Sequence, residues 1–104
     1  MPDAAERPAG DRRQRVEAVV SGRVQGVGFR RYVRGWARKL SLVGWVRNEP
    51  DGTVRLVAEG EGAGLDRLVR LLWGGPPGAD VRDVQVGWEG GSGTFEAFEV
   101  RRTG

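Results

Sequence analysis

Residues 16–40 read VEAVVSGRVQGVGFRRYVRGWARKL, and two periodicities meet inside them. Val16, Ala18 and Val20 alternate with Glu17 and Val19, the period-two pattern of a strand with one buried face. The strand is expected to stop at Ser21–Gly22. A loop punctuated by Gly26 and Gly28 follows. From Phe29 the period changes. Phe29, Tyr32, Val33, Trp36, Ala37 and Leu40 fall at i, i+3, i+4, i+7, i+8 and i+11, one apolar stripe of a helix over about 29–40. Arg31, Arg34 and Arg38 lie off that stripe and read as a solvated face. Gly35 weakens the helix by about 1 kcal/mol relative to Ala.

The remaining elements extend this unit to a whole domain. Residues 42–48 read as a strand, and Glu49-Pro50-Asp51-Gly52 as a tight turn. Thr53–Glu59 alternates again, placing Val54, Leu56 and Ala58 on one side and completing a hairpin. Leu65, Leu68, Val69 and Leu72 share one helical face between Gly64 and Trp73, before the breaker Gly74–Gly78. Val81–Trp88 is a strand whose alternation slips between Val81 and Val84, as at a bulge. Phe95–Arg101 is a last short strand after a turn over 90–93. The order β-α-β-β-α-β plus a terminal strand predicts an α+β protein. The expected architecture is a ferredoxin-like α/β sandwich, an antiparallel sheet with two helices on one face. Residues 1–14, polar with Pro and Gly, read as a flexible N-terminal tail ahead of a domain over 15–104.

Composition narrows the chemistry. The chain has 104 residues, the size of one small domain, and a formal net charge of +3. It contains no Cys, which excludes disulfides, thiolate metal sites and cysteine nucleophiles. It contains no His, the commonest general base and metal ligand. No Asp/Glu cluster has metal-ligand spacing, so neither a metal nor another cofactor is expected. Lys39 is the only lysine among the 17 cationic residues. A genome rich in Arg, Gly and Ala codons accounts for that bias; Arg also suits bidentate phosphate contacts, and the modest positive charge suits a small anion better than a nucleic acid. With no membrane span and no secretory signal pattern, a cytoplasmic, monomeric protein that binds no membrane is expected.

The candidate site is the loop Val24–Gly28 with Arg30. A helix start offers free N–H groups and partial positive charge, and glycines let a ligand approach the backbone. The glycine spacing alone also fits a plain turn. Arg30 adds weight, because a cation in a first helical turn opposes the helix dipole by about 0.3–1 kcal/mol. It borders the apolar stripe beside Val33 and Ala37, a poor place for a partly covered cation unless an anion joins it, although an exposed Arg tolerated at small cost fits as well. Asn48, at the end of the second strand, reads first as local turn chemistry, and a functional role depends on whether it faces the loop.

The motifs GRVQGVGFR at 22–30, GWVRN at 44–48 and DGTV at 51–54 resemble those of acylphosphatases. The resemblance runs from about Arg15 to Arg102, through GPPGA at 75–79 and FEAFEVR at 95–101. Val33 replaces a common Thr, and Gly35 is unusual in that family. The resemblance implies that Arg30 is the catalytic phosphate-binding arginine and that Asn48 is the catalytic, water-orienting asparagine. It implies that the backbone of Val24, Gln25, Gly26, Val27 and Gly28 cradles the phosphate. The implied activity is metal-independent hydrolysis of acyl phosphates, with inorganic phosphate as product and competing ligand. Two other readings remain. One is a non-catalytic phosphate- or carbamoyl-phosphate-binding module. The other is an RNA-binding ferredoxin-like domain, which would want aromatic residues on its central strands.

Overall fold

The computed structural model describes residues 13–103. Strand β1 spans Gln14–Arg23, helix α1 Phe29–Lys39, β2 Val43–Asn48, β3 Val54–Gly60, helix α2 Gly62–Gly74, β4 Asp80–Gly90 and β5 Phe98–Val100. The sheet order is β4-β1-β3-β2-β5. The tail expected over 1–14 falls mostly outside the described residues. Of its last two positions, Gln14 already pairs in β1 with Gly60 and Gly90.

The period-two face of β1 builds the core. Val16, Ala18 and Val20 are fully buried, together with Val54, Leu56 and Ala58 of β3 and Val46 of β2. Phe29, Val33 and Ala37 of α1 and Leu65, Leu68 and Leu72 of α2 cover them, so both helices lie on one face. Val69, at the edge of its helical face, is only half-buried. A fully buried Leu side chain stabilises by about 1.5–3 kcal/mol, and this shared core is what fixes the helices to the sheet.

Four strands pair antiparallel, as the element order predicts. The terminal strand differs. It joins β2 in parallel, Gly44 opposite Phe98 and Val46 opposite Val100, and makes the sheet mixed. Its direction follows from topology. β4 and β5 occupy opposite edges, and a chain that reverses once after β4 arrives running the same way as β2. Only Phe98–Val100 keep strand pairing, less than the alternation over 95–101 suggests. Conversely, β1 continues through Ser21–Arg23 beyond the expected stop, because a register shift at Ser21/Gly22 keeps it paired with Asp83, Val81 and Asp80. That shift is the bulge anticipated between Val81 and Val84. Gly44 lets β2 approach β3: a Cβ there would sit 1.9 Å from the Val57 carbonyl oxygen.

The crossing from β4 to β5 is pinned midway. Glu59 of β3 is fully buried on the face away from the helices. Its carboxylate accepts hydrogen bonds from Ser92 N–H (3.0 Å), Ser92 Oγ (2.7 Å), Gly93 N–H (3.0 Å) and Arg15 (3.3 Å). Burial alone would raise its pKa, but these donors outweigh burial and hold it below the ordinary glutamate value. A depressed folded pKa contributes stability that is complete above the unfolded value, about 4.3. That contribution is lost as pH falls through the folded value. Glu59→Gln is therefore expected to cost about 1–3 kcal/mol at neutral pH and to flatten the acid side of the stability curve. Urea unfolding at pH 7 and pH 3 measures both. An acid limb as steep in the variant as in the parent would remove Glu59 from this role.

Candidate anion-binding site

The β1–α1 loop opens a cleft of about 450 Å³. Val24, Gly26, Gly28 and Phe29 form its floor. Arg30, Arg31 and Arg34 project from α1, and Asn48 and Val100 close it from β2 and β5. Gly28 is the residue before α1, at φ 79°, and Gly26 has φ 75°. A Cβ added at either would meet no protein atom within 4 Å. Packing does not demand glycine at these two positions; the left-handed backbone does, and it leaves the loop open to the cleft. The N–H groups of Val24 to Gly28 donate to no acceptor among the described residues. α1 has no side-chain N-cap and no acidic residue in its first turn. Free amides and the helix dipole thus converge where an oxyanion would sit.

Arg30 is half-buried and lines this cleft. One guanidinium N–H donates to the Arg101 carbonyl at 3.0 Å. No carboxylate pairs with it among the described residues. That carbonyl is braced in turn. Arg101 N–H donates to the Val46 carbonyl at 2.8 Å. The Arg101 guanidinium lies 4.9 Å from the centre of the Trp45 ring, and the Arg47 guanidinium 4.8 Å from it. The anion site therefore leans on β2 and β5 as well as on α1.

Asn48 is brought to the same cleft from the end of β2. Its side-chain amide makes no hydrogen bond among the described residues. Turn chemistry is supplied by its neighbours instead. Asp51 Oδ1 accepts from Thr53 N–H at 3.0 Å and from Thr53 Oγ1 at 2.7 Å. Glu49 N–H donates to the Thr53 carbonyl and Gly52 N–H to the Glu49 carbonyl. Asn48 is left with its amide unused beside the loop.

Gln25 and Val27 do not line the cleft. The Gln25 amide donates to the carbonyls of Glu49 (2.8 Å) and Thr53 (2.9 Å), tying the loop to the turn that follows Asn48. Val27 packs against the core. Arg23 ends β1 opposite Asp80, outside the cleft. The charged face expected of α1 is not simply solvated. Arg38 donates to the Phe98 carbonyl at 3.3 Å, and Arg31 and Arg34 look into the cleft. The sequence signal for this was available: residues 29–39 contain five cations and no acid, so no i,i+4 ion pair balances them.

A two-layer α/β sandwich with a cationic cleft between its first loop, its first helix and the end of β2 defines a ferredoxin-like domain. Comparison with known proteins refines this class. The family model described as acylphosphatase matches residues 16–100. An acylphosphatase of Salinibacter ruber is 51% identical over 89 residues, covering 86% of this chain and 94% of its own. The crystal structure of acylphosphatase from Bacillus subtilis matches with TM-score 0.82 at 36% identity, covering 85% of this chain and 98% of that one. A structure of full-length HypF in a phosphate- and nucleotide-bound form matches with TM-score 0.80 at 26% identity, covering 93% of this chain and 13% of that one. The chain belongs to the acylphosphatase family.

Proposed function

We propose that this chain hydrolyses acyl phosphates to a carboxylate and inorganic phosphate. The observation that carries the reading is that loop residues Val24, Gly26 and Gly28, whose N–H groups have no acceptor among the described residues, line one cleft with Arg30 and the unused Asn48 amide. The amides and Arg30 hold the phosphate oxygens, Arg30 bidentately. The same donors stabilise charge spread over those oxygens during transfer. Asn48 orients a water in line with the scissile bond. The water oxygen bonds to phosphorus, and the P–O bond to the acyl group breaks. The carboxylate leaves with the electron pair, and a phosphate oxygen accepts the water's proton. The leaving group is a weak base, so no general acid is required, which suits a chain without His.

The test is hydrolysis of benzoyl phosphate by the purified protein, inhibited competitively by inorganic phosphate. Phosphate binding without turnover would favour the binding-module reading, which the likeness to part of HypF keeps in view. The RNA-binding reading has less support, since β1 and β3 carry no aromatic residue.

Gln25 acts in this scheme as a positioning residue. Gln25→Ala releases two carbonyls and frees the loop from the hairpin. We expect a loss of about 1–2 kcal/mol in stability and roughly tenfold in kcat/KM, since small misplacements of reacting groups are costly. Urea unfolding and benzoyl phosphate kinetics measure the two effects, and kcat/KM equal to the parent's would show that the tie does not set the site.

A further inference from the structure

Trp45 stands on the face of the sheet that carries no helix, since Val46 beside it points into the core. Two guanidiniums lie against its ring, Arg47 at 4.8 Å from the centre and Arg101 at 4.9 Å. They are not equivalent. Arg47 is paired with Glu49, Nε to Oε2 at 2.5 Å. The Arg101 side chain has no hydrogen bond or ion pair among the described residues, so the Trp45 ring is its partner. The main chain of the same residue serves the cleft. Arg101 N–H donates to the Val46 carbonyl at 2.8 Å, and the Arg101 carbonyl accepts from Arg30 at 3.0 Å. Arg101 follows Val100, the last residue of β5. Residues beyond a strand end fray readily. One backbone bond lets such a residue pivot, and a second anchor on its side chain stops the pivot.

We infer that Trp45 is a positioning residue for Arg30: its ring holds the Arg101 guanidinium, and thereby the carbonyl that orients Arg30. The inference rests on the proposed hydrolysis and extends its machinery to the far side of the sheet. Packing alone would also place a large side chain here, because Trp45 stands opposite Val57, a buried residue on the same face. A Leu would cover Val57 without any aromatic ring. The guanidiniums mark the difference, since a cation is drawn to the negative π face of an indole and not to an aliphatic chain. Glu49 offsets the charge of Arg47, which lets a second cation approach the ring. Without that anchor the Arg101 carbonyl wanders, and Arg30 points away from the phosphate for part of the time. Small misplacements of this kind cost binding and rate together.

The experiment compares Trp45→Phe, Trp45→Leu and Arg101→Gln with the parent, each well below its unfolding midpoint. Benzoyl phosphate kinetics and calorimetry with inorganic phosphate are the two readouts. Phe keeps a π face and should hold kcat/KM and phosphate affinity within about twofold of the parent. Leu keeps only the cover and should lower both by roughly three- to fivefold, the scale of one lost cation–π contact. Arg101→Gln keeps the carbonyl but not the stack and should match Trp45→Leu. The two changes combined should lose no more than either alone, because they break one contact. In an Arg30→Gln protein Trp45→Leu should leave kcat/KM where it is, since no guanidinium remains to be oriented. A Trp45→Leu protein with parental kcat/KM and affinity overturns the inference. So does a Phe variant as poor as the Leu variant, or an equal loss with Arg30 already replaced, since both describe packing. If benzoyl phosphate is not hydrolysed, the proposed activity fails, and phosphate affinity still decides whether Trp45 orients Arg30. A parent that binds no phosphate overturns both.

Discussion

Replacing Arg30 by Gln should lower kcat/KM for benzoyl phosphate by about 10²–10³-fold, the loss typical of deleting one donor aimed at developing charge. The cleft explains the size. Arg30 is the one guanidinium both anchored to the backbone, through the Arg101 carbonyl, and placed in the first turn beside the free amides. A Gln amide is neutral and shorter, and it offers no bidentate fork. Both affinity and rate should fall, because the same contact serves bound phosphate and the transition state. Inorganic phosphate should inhibit the variant more weakly. Stability should change little, since the bond given up is an exposed one. Near-normal hydrolysis by a folded Arg30→Gln protein would take this side chain out of the mechanism.

Asn48→Ala should separate the two halves of the chemistry. The amide stands at the rim of the cleft, and nothing among the described residues uses it. Removing it should lower kcat by about 10²-fold, the scale of losing the orientation of an attacking group. Affinity for inorganic phosphate should stay within a few-fold of the parent, because the amides and Arg30 remain. The hairpin should also survive, since Asp51 and Thr53 hold its turn. Calorimetry with phosphate and steady-state kinetics read the two quantities. Phosphate affinity that collapsed in a folded Asn48→Ala protein would place the amide on the phosphate and not on the water.

Much of this was legible in the chain of residues. The buried face of β1 and the stripe of α1 carry strong periodicity, because each faces a single continuous core. The hairpin announces itself through Pro50, Asp51 and Gly52. Arg30 could be flagged from a helix-dipole argument alone. Other features had no local signal. The parallel pairing of β5 depends on which edge of the sheet is free, a property of the assembled domain. The tie from Gln25 to Glu49 and Thr53 joins residues 24 and 28 positions apart. Asn48 could be told from a turn residue only once Asp51 was seen to do that work. The place of Arg31 and Arg34 was misjudged for another reason. Helical periodicity separates the apolar stripe from the rest, but it does not say whether the rest meets water or a neighbouring strand, and here β5 runs alongside.

The bond from Arg30 to the Arg101 carbonyl spans 71 positions of the chain. During synthesis the guanidinium emerges long before the peptide group that orients it has been made. The first loop and helix can form early from nearby contacts, yet the pocket stays unfinished until the far edge strand docks against β2. A nascent chain stalled short of that strand would lack both the Phe98 ring in the core and the carbonyl that orients Arg30.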